Sequence, residues 1–188
     1  MSVVGIDEVG RGALAGPLVV GAVILKLPIK GIGDSKKLSK QQRSKLAQII
    51  VCEADEYSLG WVSSKEIDKL GLTKAIRLAI FRALKQIGTF NANSTIQQII
   101  IDGNYNFLAD DKRSKTIVKA DESINCVSAA SILAKVARDE WMVKVAAKRY
   151  PKYLFERHVG YGTKLHLDAI RQYGPCDIHR LSFRPIKQ

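Results

Sequence analysis

Two adjacent carboxylates, Asp7 and Glu8, close an apolar run that begins at Val3, and the chain passes at once into Gly10-Arg11-Gly12. Ile6 and the residues before it read as a buried strand, where an ionised carboxylate is costly unless a cation compensates it. Two more acids hold comparable positions: Asp102 ends the apolar run Ile96 to Ile101, and Asp121 follows Thr116-Ile117-Val118-Lys119. If the three strand ends lie side by side, as when parallel strands share one edge of a sheet, four acids converge on a crevice. Such a set cannot ionise fully without cations, and oxygen-only ligands suit hard Mg²⁺ or Mn²⁺. Two such ions about 3.5 to 4 Å apart activate a water and stabilise the leaving oxygen in phosphodiester hydrolysis. Merely solvated acids are the alternative. Adjacent strand residues also point to opposite faces, so Asp7 and Glu8 can share a site only where the strand ends or twists, which Gly5 and Gly10 permit.

The glycine turn admits a rival. Gly10-Arg11-Gly12-Ala13-Leu14-Ala15 fits G-x-G-x-x-G/A, with Asp34 near the position of a ribose-binding acid. That fingerprint has to open a helix, whereas Gly16-Pro17 and a β-branched strand follow here. What survives is a turn of low bulk whose backbone amides can approach a sugar-phosphate closely.

The elements that must position these groups form an α/β pattern. Pro17 to Leu25 is a second strand, linked too briefly for a helical crossover and so expected antiparallel to the first. Ser39 reads as the N-cap of a helix reaching Glu53, and Tyr57 to Val62 as a third strand. Ile76, Ile80, Ala83, Leu84 and Ile87 form an amphipathic stripe that Gly88 ends. After the strands at 96–101 and 116–119, a long helix is expected from Ser123 to Arg149, with small residues Ser128, Ala129, Ala130, Ser131 and Ala134 for close packing on the sheet. A short helix, Lys164 to Tyr173, precedes a basic tail. The expectation is one domain over residues 1–188: a five-stranded mixed sheet flanked by helices, with 151–188 as a C-terminal extension that contributes to substrate binding.

Composition bounds the partners. Thirty Lys and Arg against 18 Asp and Glu give a net charge of +12, gathered in groups at 36–45, 112–119 and 144–152. A polyanion is the expected partner, with a solvated basic face as the alternative. No apolar run approaches a membrane span and no signal-peptide pattern leads the chain, so a cytoplasmic protein away from membranes is expected. Cys52, Cys126 and Cys176 are odd in number and far apart, which argues for reduced thiols. Trp61 and Trp141 read as core, Asp139 as the intrahelical ion-pair partner of Arg138, and His158 and His166 as lacking the companions a zinc site needs.

Taken together, Gly5-Ile6-Asp7-Glu8-Val9-Gly10-Arg11-Gly12, Ala15-Gly16-Pro17, Asp34-Ser35-Lys36, Asp102-Gly103-Asn104, Lys119-Ala120-Asp121, Ala129-Ala130-Ser131-Ile132 with Ala134-Lys135-Val136, Arg138-Asp139 and Gly160-Tyr161-Gly162-Thr163 closely resemble ribonuclease HII, in family order over nearly the whole chain. The resemblance implies a ribonuclease H-like fold and an endoribonuclease that cuts the RNA strand of RNA/DNA hybrids and duplex DNA 5′ of embedded ribonucleotides, leaving 3′-hydroxyl and 5′-phosphate ends. Asp7, Glu8, Asp102 and Asp121 match the family's metal-binding acids, with Mg²⁺ or Mn²⁺ as cofactor and two ions in the active complex. Gly10, Arg11 and Gly12 match the motif that contacts ribose 2′-hydroxyls, and Tyr161 the tyrosine that stacks on the adjacent deoxyribose. Ser35 and Lys36 are counted with them, Lys36 as a phosphate contact; Asp34 reads as capping that turn. Ribonuclease HIII differs in usually having Lys at the position of Arg11. A junction resolvase of the same fold and a non-catalytic nucleic-acid-binding protein are the competing assignments. The tail, Phe183 to Gln188, forms no trustworthy sliding-clamp motif, no obligate protein partner is evident, and a monomer is expected.

Overall fold

The computed structural model describes residues 2–33, 38–89, 91 and 94–187. Five strands, β1 (Ser2–Val9), β2 (Leu18–Ile24), β3 (Glu56–Val62), β4 (Ile96–Asp102) and β5 (Ser114–Ile117), form one sheet in the order β3-β2-β1-β4-β5. β1 pairs antiparallel with β2 and β2 with β3, whereas β4 and β5 join in parallel, as the short and long connections require.

Helices cover both faces. On one, α3 (Leu72–Gln86) lays Ile76, Ala79, Ile80, Ala83 and Leu84 against Val4, Ile6, Leu18, Val20 and Ala22. On the other, α5 (Asn125–Trp141) and α1 (Lys40–Glu53) pack Ala129, Ala130, Leu133 and Ile50 around Val23. The small residues of α5 let it approach to backbone contact: a Cβ built on Gly21 would lie 2.3 Å from the Ala130 carbonyl oxygen. Ser39 caps α1 in a reciprocal box with Gln42, the expected start. A further short helix, α2 (Ser64–Leu70), is similarly capped by Ser63 and Glu66; its seven residues, about two turns, carry too little periodicity to be read from sequence.

Three expectations are corrected. β5 lies two residues earlier than predicted, because Lys119 takes a left-handed conformation (φ 59°) and turns the chain into α4 (Ala120–Ser123), so Asp121 sits in a helical turn rather than at a strand end. The long helix ends its regular course at Trp141, passes through a π-helical turn, Met142–Ala146, and closes as α6 (Ala147–Arg149). Trp61 and Trp141 are half-buried, the first on the outer strand β3 and the second where α5 leaves the sheet, and both line a groove with Pro17, Tyr150 and Ile178.

Beyond Pro151 the chain forms α7 (Phe155–His158), α8 (Lys164–Tyr173) and a tail built on a smaller core of its own: Tyr153, Phe155 and Ala169 with Ala15, Met142 and Ala146. The three cysteines are free thiols. Among the described residues no helix is long and apolar enough to cross a membrane.

Candidate active site

The register of the sheet makes the crevice. β1 pairs with β4 only as far as Ile6 with Ile101, but with β2 as far as Val9 with Val19. Asp7 and Glu8 therefore leave the parallel ladder while still held on the antiparallel side. Alternation keeps Asp7 on the α5 side of the sheet, where the Ser131 hydroxyl hydrogen-bonds its carboxylate. Glu8 has the opposite parity, yet past the end of the β4 ladder both side chains line one crevice of about 370 Å³, with Asp102, Gly10, Arg11, Gly12, Ser131, Lys135 and Tyr161.

Asp102, the last residue of β4, accepts the Ala120 amide at 2.7 Å and so anchors the first turn of α4. That places Asp121, only 2% exposed, behind the crevice wall, near enough for its charge to act on Asp7. Burial, with Glu8, Asp102 and Asp121 as like-charged neighbours, pushes the Asp7 carboxyl up to about 8; the Ser131 hydrogen bond opposes the rise. Burial also raises Glu8, against the Arg11 guanidinium 3.1 Å away. Glu8 Oε2 is buried with no hydrogen-bond partner among the described residues. Among those residues no three His, Cys, Asp or Glu side chains form a ready-made metal cluster. The chemistry of the donors still fits a hard divalent ion: the acids offer oxygen alone, one oxygen is orphaned, and burial among like charges disfavours the ionised Asp7 carboxylate.

The turn beside the acids is held from beneath by two fully buried arginines. Arg138 donates to the carbonyls of Pro17 (2.8 Å), Ala15 (3.1 Å) and Val159 (3.0 Å). Arg180 donates to Gly16 (3.0 and 3.2 Å) and Arg11 (3.1 Å). Gly10, at φ 94°, leaves room for them, since a Cβ there would meet Arg138 Nε at 2.3 Å. The intrahelical ion pair expected of Asp139 is present, made with Lys135 one helical turn away at 3.0 Å rather than with the neighbouring Arg138. The Leu14 and Ala15 amides donate to the Gly160 carbonyl at 2.8 and 3.2 Å, which joins the 158–163 segment to the same turn. Tyr161 is thus delivered to the crevice, its ring 5.2 Å from the Arg138 guanidinium and 5.6 Å from Lys135 Nζ.

Of the residues singled out in the sequence, Asp7, Glu8, Asp102, Gly10, Arg11, Gly12 and Tyr161 share one crevice and Asp121 lies behind it; Ser35 and Lys36, with Asp34, lie outside the described residues. Ser131, Lys135 and Arg138 were legible in principle, as polar positions three and four apart on one face of a helix of small residues. Arg180 had no such signal.

A mixed sheet with acids at the open end of its central parallel strands, covered by helices, defines the ribonuclease H-like class of α/β nucleases. The known-protein comparisons agree. A family model described as Ribonuclease HII matches residues 4–186, and the chain belongs to the ribonuclease HII family. Ribonuclease HII of Sulfurovum sp. is 48% identical over 180 residues, covering 96% of this chain and 90% of the relative. That of Caldicellulosiruptor bescii is 41% identical over 181 residues, 95% and 84% of the two chains. Among solved structures, the PCNA:RNase HII complex from Archaeoglobus fulgidus contains a chain similar at TM-score 0.82 and 22% identity, covering 98% of this chain and 96% of that one. Bst-RNase HIII in complex with Mn²⁺ is similar at TM-score 0.74 and 24% identity, over 100% and 68%. The chain is an endoribonuclease of the ribonuclease H class.

Proposed function

We propose that the enzyme hydrolyses the RNA strand of RNA/DNA hybrids and cuts duplex DNA on the 5′ side of an embedded ribonucleotide, leaving 3′-hydroxyl and 5′-phosphate ends. The observation that carries this reading is the shared crevice, in which Asp7, Glu8 and Asp102 meet the Gly10-Arg11-Gly12 turn and Tyr161. Asp7, Glu8, Asp102 and Asp121 hold the divalent ions, Mg²⁺ or Mn²⁺, two in the active complex; Mn²⁺ in the Bst-RNase HIII structure supports the ion class. Bound there, such ions supply the positive charge that activates a water and stabilises the leaving oxygen of a phosphodiester.

The protein's own groups do the rest. The Arg11 guanidinium is engaged with Glu8, so the backbone of the glycine turn is what meets a 2′-hydroxyl. Tyr161 stacks on the deoxyribose that follows, where a second 2′-hydroxyl would crowd the ring. Through Tyr161 the C-terminal extension, 151–188, contributes to substrate binding, and Ser35 and Lys36 add contacts to the backbone of the duplex. The +12 charge draws the polyanion to the protein with a steep dependence on salt.

The test uses three duplexes: a long hybrid, DNA with one ribonucleotide, and DNA alone. Cleavage of the first two and not the third, with mapped 3′-hydroxyl ends and complete loss in chelator, is expected. Cutting of all-DNA duplex would favour a resolvase, and no cutting at the lone ribonucleotide would favour ribonuclease HIII-like specificity.

A further inference from the structure

Three histidines lie buried beneath Tyr161, outside the acid crevice and without a part in the chemistry above. The rings of His158 and His166 stack, with centroids 4.4 Å apart and planes 19° from parallel, and Phe155 packs edge-on against both. Burial lowers all three imidazoles from their ordinary value, His166 and His179 to about 4, so they are neutral at physiological pH.

Their hydrogen bonds fix which nitrogen holds each proton. The Tyr161 carbonyl can only accept, so His166 Nδ1, 2.9 Å away, donates to it and His166 Nε2 is left an acceptor. His179 Nε2, 3.0 Å from that nitrogen, must therefore donate. His179 Nδ1 then accepts from the Cys176 amide at 2.8 Å, which is closer than the Cys176 carbonyl at 3.3 Å or Sγ at 3.2 Å. The relay runs one way: Cys176 N–H to His179, His179 to His166, His166 to the Tyr161 carbonyl. His158 obeys the same rule beside it, accepting the Gly160 amide at 3.2 Å and donating to the Tyr153 carbonyl at 2.8 Å. Each imidazole lone pair meets an N–H, so the cluster is a hydrogen-bonded relay rather than a metal shell.

We propose that His166 and His179 are positioning residues for junction recognition: their one-way relay fixes the Tyr161 carbonyl, and with it the angle at which the Tyr161 ring meets the sugar after the ribonucleotide. This rests on the role given to Tyr161 above. Tyr161 has few other constraints. Its amide donates to the His158 carbonyl at 2.9 Å, its carbonyl also accepts the Thr163 amide at 2.8 Å, and its ring lies 5.2 Å from the Arg138 guanidinium and 5.6 Å from Lys135 Nζ. Without His166 the peptide can rotate about this pair of short contacts, and a ring displaced by about an ångström loses its fit to one sugar.

Side-chain chemistry separates this from simple packing. Asn carries its amide nitrogen near the Nδ1 position of His, and Gln near Nε2, so His166→Asn keeps a donor for the Tyr161 carbonyl while His166→Gln does not. His166→Gln is expected to lower kcat/KM on the single-ribonucleotide duplex about tenfold, chiefly through KM, and on a long hybrid by less than about threefold; His166→Asn stays within about threefold on both. Equal losses on the two substrates, or Asn and Gln variants that behave alike, would overturn the proposal. Nitrogen NMR of the unaltered protein tests it without a variant: His166 should carry its proton on Nδ1 and His179 on Nε2, and the reverse pattern would overturn the relay. Failure of the unaltered chain to cut at a lone ribonucleotide would instead overturn the function proposed above, and the ring protons would still decide the relay.

Discussion

The two halves of the active site are built on opposite principles. In the acid crevice, polar groups are buried without their needs being met: Asp7 is held protonated to about pH 8, and Glu8 Oε2 has no partner among the described residues. In the segment that carries the glycine turn and Tyr161, the backbone carbonyls are met by side-chain donors. Two guanidiniums and a histidine relay donate to the carbonyls of Arg11, Ala15, Gly16, Pro17, Val159 and Tyr161. The difference teaches which half waits for something. Acids under mutual repulsion are completed by an arriving cation, whereas a surface that tells one sugar from another has to be rigid beforehand.

Removing a charge from the waiting half should cost most. Asp102→Asn keeps an oxygen for the Ala120 amide and leaves the basic surface intact, so single-turnover cleavage should fall by about three orders of magnitude or more while duplex affinity holds. A rate within tenfold of the parent would take Asp102 out of the site.

The rigid half breaks differently. Arg138→Leu leaves the carbonyls of Ala15, Pro17 and Val159 buried without their donor, and unfolding by denaturant should show a loss of about 3 kcal/mol, with cleavage of all substrates reduced together. An unchanged midpoint would mean that water or relaxation replaces the guanidinium, and that the turn is not held from beneath.

The two halves also respond to pH with opposite signs. Because the folded pKa of Asp7 lies above its unfolded value, the stability linked to its proton is complete below about pH 3.8 and is lost as pH rises through about 8. Metal-free protein should lose about 2 kcal/mol of unfolding free energy between pH 6.5 and 8.5, and Asp7→Asn should remove that slope. The depressed imidazoles of His166 and His179 act in the other direction, holding stability above pH 6.5 that is lost as pH falls through about 4. Thermal melts across both windows check the pair of slopes.

Tyr161→Ala is the smallest and the most selective change. One embedded ribonucleotide offers a single 2′-hydroxyl, so the loss of stacking should lower kcat/KM there by about tenfold to a hundredfold, against a lesser loss on a long hybrid that offers alternative registers. Equal losses would show that the ring does not read the junction.

Much of the waiting half was legible in the sequence, and less of the rigid one. Acids that interrupt or follow apolar runs are conspicuous because burial makes them costly, and Asp7, Glu8 and Asp102 do meet. The expected antiparallel start and the capped α1 also appear, since short links and Ser39 with Gln42 act locally. Asp121 was expected at a strand end and lies instead in a helical turn behind the crevice, because the left-handed turn at Lys119 has no strong local signature in a Lys-Ala-Asp sequence. The staple role was harder to read: Arg138 stood out only as a polar position on a helix of small residues, and Arg180 not at all, because most of the carbonyls they hold lie more than 100 residues away in sequence. Carbonyl acceptors exist at every position and leave no compositional trace.

The most direct measurement is the proton released when Mn²⁺ is titrated into the protein at pH 7, read by calorimetry in buffers of different ionisation enthalpy. A cation that enters between carboxylates displaces their protons, and at this pH Asp7 still holds one. About one proton should leave per protein on saturation, and the release should vanish in Asp7→Asn. Mn²⁺ binding without proton release, or no binding at all, would contradict a crevice whose acids are completed by a divalent ion.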